Sequence, residues 1–145
     1  MVVLNRGLRR RAGLFALLLP LAVFGQRKPP KVQYGVASYY ANKFEGRKTY
    51  TDEIFSQEKL TGASNTLPMH TWVKVTNLRN HKFCYVRIND KMHPRNHRLI
   101  DLSRAAAQRL GYAGRGLTKV RIDVLGKKRP PEAESEMVIR RPGQD

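Results

Sequence analysis

Cysteine is almost missing from this chain: Cys84 stands alone among 145 residues. No intramolecular disulfide can form, so the fold must be held by its core. Cys84 lies inside an apolar strand pattern and not behind the N-terminal apolar run. An acylated lipoprotein cysteine is therefore not expected, and the residue reads as a small buried apolar group. Histidine is also sparse. His70, His81, His93 and His97 fall in turns or loops and follow none of the usual ligand spacings, so neither a metal site nor a cofactor is expected. Acids are few: 11 Asp+Glu face 28 Lys+Arg, a formal +17. The N-terminal apolar run, Ala12 to Gly25, has 14 residues, short of the roughly 20 that span a bilayer.

That run follows Arg6, Arg9, Arg10 and Arg11, and ends with Val23 and Gly25 three and one residues before Gln26. Basic, apolar and small regions in this order read as a signal peptide over residues 1–25, with membrane attachment only through an uncleaved signal. Its removal takes away four Arg and no acid and leaves 24 Lys+Arg against 11 Asp+Glu, a formal +13. A basic exported protein of the periplasm or cell envelope is expected. Its field favours anionic surfaces such as lipid headgroups, wall polymers or peptidoglycan stem carboxylates. Export argues against nucleic acid, and the scattered cations form no basic helix or aromatic stacking motif of a nucleic-acid reader.

The length permits one ordinary domain with a real core, expected as a monomer. Residues 26–33 contain Pro29 and Pro30 and read as a linker. Residues 127–145 hold three prolines and three glutamates with little apolar periodicity, the composition of a flexible tail. The domain is therefore expected over 34–126. Within it, period-two alternation marks three half-buried strands. Val73 and Val75 share one face of WVKVTNL; Cys84, Val86 and Ile88 share one face of FCYVRIND; Val120, Ile122 and Val124 share one face of LTKVRIDVL. Arg79-Asn80-His81 joins the first two as a tight turn, with Asn80 suited to a positive φ. One short helix runs from a Ser103 cap to Gly111. Short strands, brief helices and no βαβ rhythm predict a small, mainly β closed barrel.

The stretch RINDKMHP, residues 87–94, places Asp90 among Arg87, Lys91, Arg95 and Arg98. Strand phase continues Cys84, Val86 and Ile88 to Asp90, which leaves the strand on the apolar face at a rim where a cleft can open. Two readings stay open: a structural carboxylate paired with Arg87, Lys91 or Arg98, or a working acid whose proton is retained by apolar surroundings.

The ordered segments Gly35-Val-Ala-Ser-Tyr-Tyr40, Phe44-Glu-Gly-Arg47-Lys-Thr49, Glu53-Ile-Phe55, Leu60-Thr61, Thr66-Leu67-Pro68, Val73-Lys-Val-Thr-Asn-Leu78, Val86-Arg-Ile-Asn-Asp90 and Ile100-Asp-Leu-Ser-Arg-Ala-Ala106 resemble the rare lipoprotein A (RlpA) family. The resemblance covers Tyr34 to Leu125. It implies a six-stranded double-psi β-barrel, with one or two short helices, that cleaves peptidoglycan glycan strands as a lytic transglycosylase in envelope remodelling or septation. On the family's pattern Asp90 takes the catalytic position after Asn89, and Glu53 the second acidic position. Ser64 stands where the family has an active-site histidine, Ser56 where it has an aspartate, and Thr51-Asp52 where it has Asn-Gly. These serines, with Tyr40, Arg47 and Asn89, are the expected substrate-binding residues. Either Tyr39 or Tyr40 is expected in the cleft, not both. Two classes follow: an enzyme with Asp90 as acid then base, or a peptidoglycan-binding protein whose chemistry has lapsed with the changed histidine and aspartate.

Overall fold

A computed structural model describes residues 31–133. The expected signal peptide, residues 26–30 of the linker and residues 134–145 of the tail lie outside the described residues. Six strands, β1 (Val32–Tyr39), β2 (Thr61–Ala63), β3 (Trp72–Asn77), β4 (Phe83–Asp90), β5 (Ile100–Leu102) and β6 (Thr118–Gly126), and one helix, α1 (Arg104–Arg109), follow in chain order, with α1 between β5 and β6. A single 3-10 turn, Asn42–Phe44, follows β1.

The alternation read in the sequence is the barrel's inside and outside. Val73, Val75, Cys84, Val86, Ile88, Val120 and Ile122 are all fully buried, while Trp72, Lys74, Thr76 and Arg87 on the opposite faces are partly exposed. Each such side chain contributes about 1.5–3 kcal/mol on burial, so the interior can hold the chain without cross-links. The strands close in the order β1-β5-β2-β4-β3-β6. The pairs β1·β5 and β2·β4 are parallel and the other four antiparallel. Closure leaves no edge strand among the six.

Strands β2 and β5 carry no readable period because each has three residues. They are buried by neighbours on both sides and thread between longer strands. Gly62 in β2 permits this: a Cβ there would lie 3.1 Å from side-chain atoms of both Ile100 and Leu102.

Helix α1 is capped as expected, with the Ser103 hydroxyl accepting from the Ala106 amide and Gly111 at φ 74° beyond its end. Ala106 and Ala107 face the core, and the Asn77 side-chain amide donates to the Leu110 carbonyl at 2.8 Å. Tyr112 closes this end of the barrel by donating its hydroxyl to the Ser38 carbonyl at 2.8 Å.

Three expectations are revised. The left-handed residue of the β3–β4 turn is His81 (φ 59°), because Asn80 spends its side chain on the Lys82 amide and the Leu110 carbonyl. The first strand begins at Val32, inside the expected linker, since Val32 and Gln33 pair with Asp123 and Ile122 of β6. The chain beyond Gly126 still packs on the barrel as far as Ala133, which is buried, and Arg129 lies over the Trp72 ring at 5.4 Å. An arginine guanidinium and a buried methyl group take part in that contact, and they leave no apolar period to read.

Candidate active site

Strand β2 sits between β4 and β5, and its last residue, Ala63, is in register with Asp90 on one side and Asp101 on the other. Ala63 thus lies between the two aspartates, on a strand about 4.8 Å from each of theirs. Over this floor opens a cleft of about 660 Å³. One wall is the segment after β1, with Tyr40, Phe44 and Arg47; another is the segment after β4, with Lys91 and His93.

Asp90 is half-buried, at the end of β4, on the face of Ile88 as its strand phase requires. Its Oδ1 accepts from the main-chain amides of Tyr50 at 2.8 Å and Lys91 at 2.9 Å; its Oδ2 accepts from the Tyr40 hydroxyl at 2.7 Å. The ion-pair reading of Asp90 fails, because none of the expected partners reaches its carboxylate. Arg87 bonds both oxygens of Glu53, at 2.8 and 2.5 Å. Arg98 bonds both oxygens of Asp101, at 2.9 and 3.1 Å. Lys91 places its ammonium 4.4 Å over the Tyr50 ring. Among the described residues Asp90 has no ion pair.

Tyr40 is built in from several sides. Its ring packs 4.2 Å from the Phe55 ring and 5.6 Å from that of Phe44, centroid to centroid. The Gln57 side chain donates to its carbonyl at 2.9 Å and accepts from the Arg104 amide at 2.8 Å, tying the cleft wall to the start of α1. Burial, then the hydrogen bond to Asp90, holds the Tyr40 phenol far above its ordinary range. It remains a neutral donor at any working pH. Tyr39 also lines the cleft, its ring edge-on to Tyr112 at 6.1 Å and its hydroxyl donating to the Ala113 carbonyl. The expectation that one of the two rings packs in the core and the other faces the cleft agrees with this: the Tyr39 ring lies on the core against Tyr112, and the Tyr40 hydroxyl meets Asp90.

Glu53 does not line the cleft. It holds the loop that does its work: Lys48 and Ile54 form a bridge, the Thr49 amide donates to the Glu53 carbonyl, and the Thr51 hydroxyl and Arg87 guanidinium bond its carboxylate. The bond from Arg87, opposed by burial and reinforced by Asn89, lowers its pKa from 4.5 to about 2. Glu53 is therefore a fixed anion and the support of the loop that offers the Tyr50 amide to Asp90. The loop keeps its left-handed turn at Asp52, φ 63°, which aspartate tolerates better than most residues.

The remaining expected residues divide. Arg47 lines the cleft, its guanidinium 5.5 Å over the Phe44 ring. Asn89 is buried on the face opposite Asp90, its amide donating to Glu53 and its Oδ1 without a partner among the described residues. Ser64 is fully buried, its hydroxyl donating to the Leu99 carbonyl at 2.9 Å while its amide donates to the Asp90 carbonyl; it props the floor and does not line the cleft. Ser56 is half-buried and accepts from the Glu58 amide, also outside the cleft. Direct substrate contact, expected for Asn89, Ser64 and Ser56, is not what their positions give.

Asp101, Phe55 and Gln57 are the residues the sequence reading missed. Asp101 accepts from Ser38 at 2.5 Å as well as from Arg98. A signal for its ion pair was present in the Arg98–Asp101 spacing of three; nothing local announces that it shares a floor with Asp90.

A model of the family described as lytic transglycolase matches residues 32–122. An endolytic peptidoglycan transglycosylase RlpA of Haemophilus influenzae is 43% identical over 101 residues, covering 70% of this chain and 35% of that protein. The protein of the same name from Neisseria meningitidis is 39% identical over 124 residues, covering 81% and 52%. The chain thus spans about a third to a half of the length of these relatives. Among solved structures, the Streptomyces papain inhibitor superposes with a TM-score of 0.55 at 20% identity, over 67% of this chain and 96% of that one. A Clavibacter michiganensis expansin solved in complex with cellohexaose superposes at 0.52 and 16% identity, over 69% and 53%. These likenesses show that the barrel has the double-psi fold.

Proposed function

The chain belongs to the lytic transglycolase family, and from that premise we propose that its barrel cleaves the MurNAc–GlcNAc bond of peptidoglycan glycan strands, leaving 1,6-anhydro ends. The observation that carries the proposal is Asp90: a carboxyl group on the cleft floor, held by three neutral donors and by no cation among the described residues, in a chain crowded with cations.

The reaction needs one group to act twice. The Asp90 carboxyl gives its proton to the glycosidic oxygen as the bond to C1 of MurNAc breaks and positive charge develops on the ring. The carboxylate left behind takes the proton of the sugar's own 6-hydroxyl as that oxygen closes on C1. Proton and bonds balance without water. Oδ1 is occupied by two main-chain amides, so Oδ2, steadied by the Tyr40 hydroxyl, is the oxygen that carries the proton. Tyr40 is a positioning residue: its own proton is too tightly held to be given up. Glu53 acts further out, through the loop carrying the Tyr50 amide.

Arg47 and Lys91 on the cleft walls suit strands that bear carboxylates. The names of the relatives support this substrate. We place the reaction in the cell envelope on the order of basic, apolar and small residues over 1–25.

The test is digestion of purified sacculi, with and without stem peptides, by wild type and Asp90→Asn, with mass detection of anhydro ends. Wild type should release them and Asp90→Asn should not, while its melting temperature stays near wild type. Wild type that co-sediments with sacculi yet frees no anhydro ends would make this a glycan-binding protein instead.

A further inference from the structure

Tyr50 and Lys91 meet at one oxygen. Their main-chain amides both bind Oδ1 of Asp90, at 2.8 and 2.9 Å, and their side chains stack, the ammonium 4.4 Å from the ring centroid. Only the amides of these two residues bind Asp90, and residues of other types would supply them equally well. The side chains therefore add something else. Tyr50 is 61% exposed, so its ring contributes little to the core. Lys91 is exposed and lines the cleft, and it has no ion pair among the described residues.

An exposed ring beside an unpaired ammonium matches a sugar that carries a carboxylate. The ring offers a flat amphipathic surface for the sugar's C–H face, at the cost of few rotatable bonds. The ammonium has three donors, so it can stay over the ring and still bind an anion. Of the two alternating sugars of the proposed substrate, only MurNAc carries a carboxylate, on its lactyl ether, when the stem peptide is absent; when present, the stem carries its own. Cleavage at C1 of MurNAc requires that this sugar, and not GlcNAc, lie against Asp90.

We propose that the Tyr50–Lys91 pair is the subsite that selects the carboxylate-bearing sugar and so sets the register of the strand on Asp90. This rests on the glycan-cleaving reading of the cleft and specifies which residues fix its phase. Tyr50 contributes affinity for any sugar; Lys91 contributes the choice between them. The discrimination should fade in high salt, since the ammonium is exposed.

The test uses the full chain carrying Asp90→Asn, so that binding is read without cleavage. Affinities are measured for a GlcNAc–MurNAc tetrasaccharide, the same tetrasaccharide with stem peptides amide-linked to the lactyl groups, and chitotetraose. The stem-free tetrasaccharide should bind about tenfold tighter than chitotetraose, the range of a charge-assisted hydrogen bond. Adding Lys91→Met should remove that difference, Tyr50→Ala should weaken both sugars alike, and Tyr50→Phe should weaken neither. If the stem-bearing sugar keeps the advantage, the carboxylate recognised is one the stem also supplies; if it loses it, the lactyl carboxylate is the ligand. Equal affinity for MurNAc and chitin oligomers, equal weakening of both by Lys91→Met, or no binding of either overturns the proposal. Melting curves of each variant separate a lost subsite from a lost fold. Selective binding with no anhydro ends from sacculi would remove the reaction and keep the subsite. Anhydro ends without selective binding would do the reverse.

Discussion

Replacing Tyr40 by phenylalanine isolates one hydrogen bond of the site. The ring stays, with its packing at 4.2 Å against Phe55 and 5.6 Å against Phe44, and only the hydroxyl 2.7 Å from Asp90 Oδ2 is lost. A hydrogen bond to a charged group contributes about 1.5–3 kcal/mol. Asp90 sits at an open cleft where water can take the vacated place, so the stability cost falls below that range, to about 1 kcal/mol. The catalytic cost is larger, because water does not hold Oδ2 in one direction. A loss of 1.5–3 kcal/mol of transition-state stabilisation corresponds to roughly ten- to 150-fold in kcat/KM. The assay is release of anhydro ends from stem-free glycan, with thermal melting of the same preparations. Oδ1 keeps both amides, so the variant should retain measurable activity where Asp90→Asn has none. The phenol's pKa lies far above the working range, so the activity lost in Tyr40→Phe is not the loss of a proton donor. Wild-type kcat/KM in Tyr40→Phe would refute the positioning role.

Glu53→Gln removes an anion whose pKa is lowered from 4.5 to about 2, so the folded state binds its proton less readily than the unfolded chain. Its stabilising contribution is complete above pH 4.5 and is lost as pH falls toward 2; the gap in melting temperature between wild type and Glu53→Gln should be full at neutral pH and close over that window, and a gap independent of pH would sink the assignment. At Gly35 an added Cβ would lie 2.6 Å from the Leu99 Cβ, and Leu99 is pinned by its amide donating to the Val36 carbonyl and by the Ser64 hydroxyl donating to its carbonyl. Gly35→Ala should therefore cost about 1–3 kcal/mol in denaturant unfolding, and a neutral result would show that Leu99 yields. Arg129→Ala removes the guanidinium over Trp72 and should cost about 0.5–1 kcal/mol, with a change in Trp fluorescence; unchanged stability and emission would show that the chain beyond Gly126 does not depend on this contact.

The inside and outside of the long strands were legible in the sequence because strand alternation is a local property with a period of two. Val73, Cys84, Val86, Ile88, Val120 and Ile122 were assigned to the core by it, and Asp90 was placed at a rim by counting on from Ile88. The same count puts Arg87 and Asn89 on the opposite face, where the structure finds both bonding Glu53, so Arg87 could have been removed from the partners of Asp90 by alternation alone. The Ser103 cap and the Gly111 stop were equally local. The short strands were not legible: three residues carry no period, and a Thr-Gly-Ala segment becomes a strand only when two neighbours supply its hydrogen bonds.

What the tertiary structure alone decided is which charges meet. In a chain with 28 cations and 11 acids, proximity in sequence offers Asp90 several partners. Closure of the barrel sends Arg87 to Glu53, and the turn after β4 leaves Arg98 on Asp101 and Lys91 on Tyr50. The placement of β2 between β4 and β5 sets Asp90 and Asp101 on either side of Ala63. Alternation fixes the face a side chain takes, because it depends on the next residue; the neighbour it finds there depends on strand order, which is set by how all six strands bury their apolar faces together.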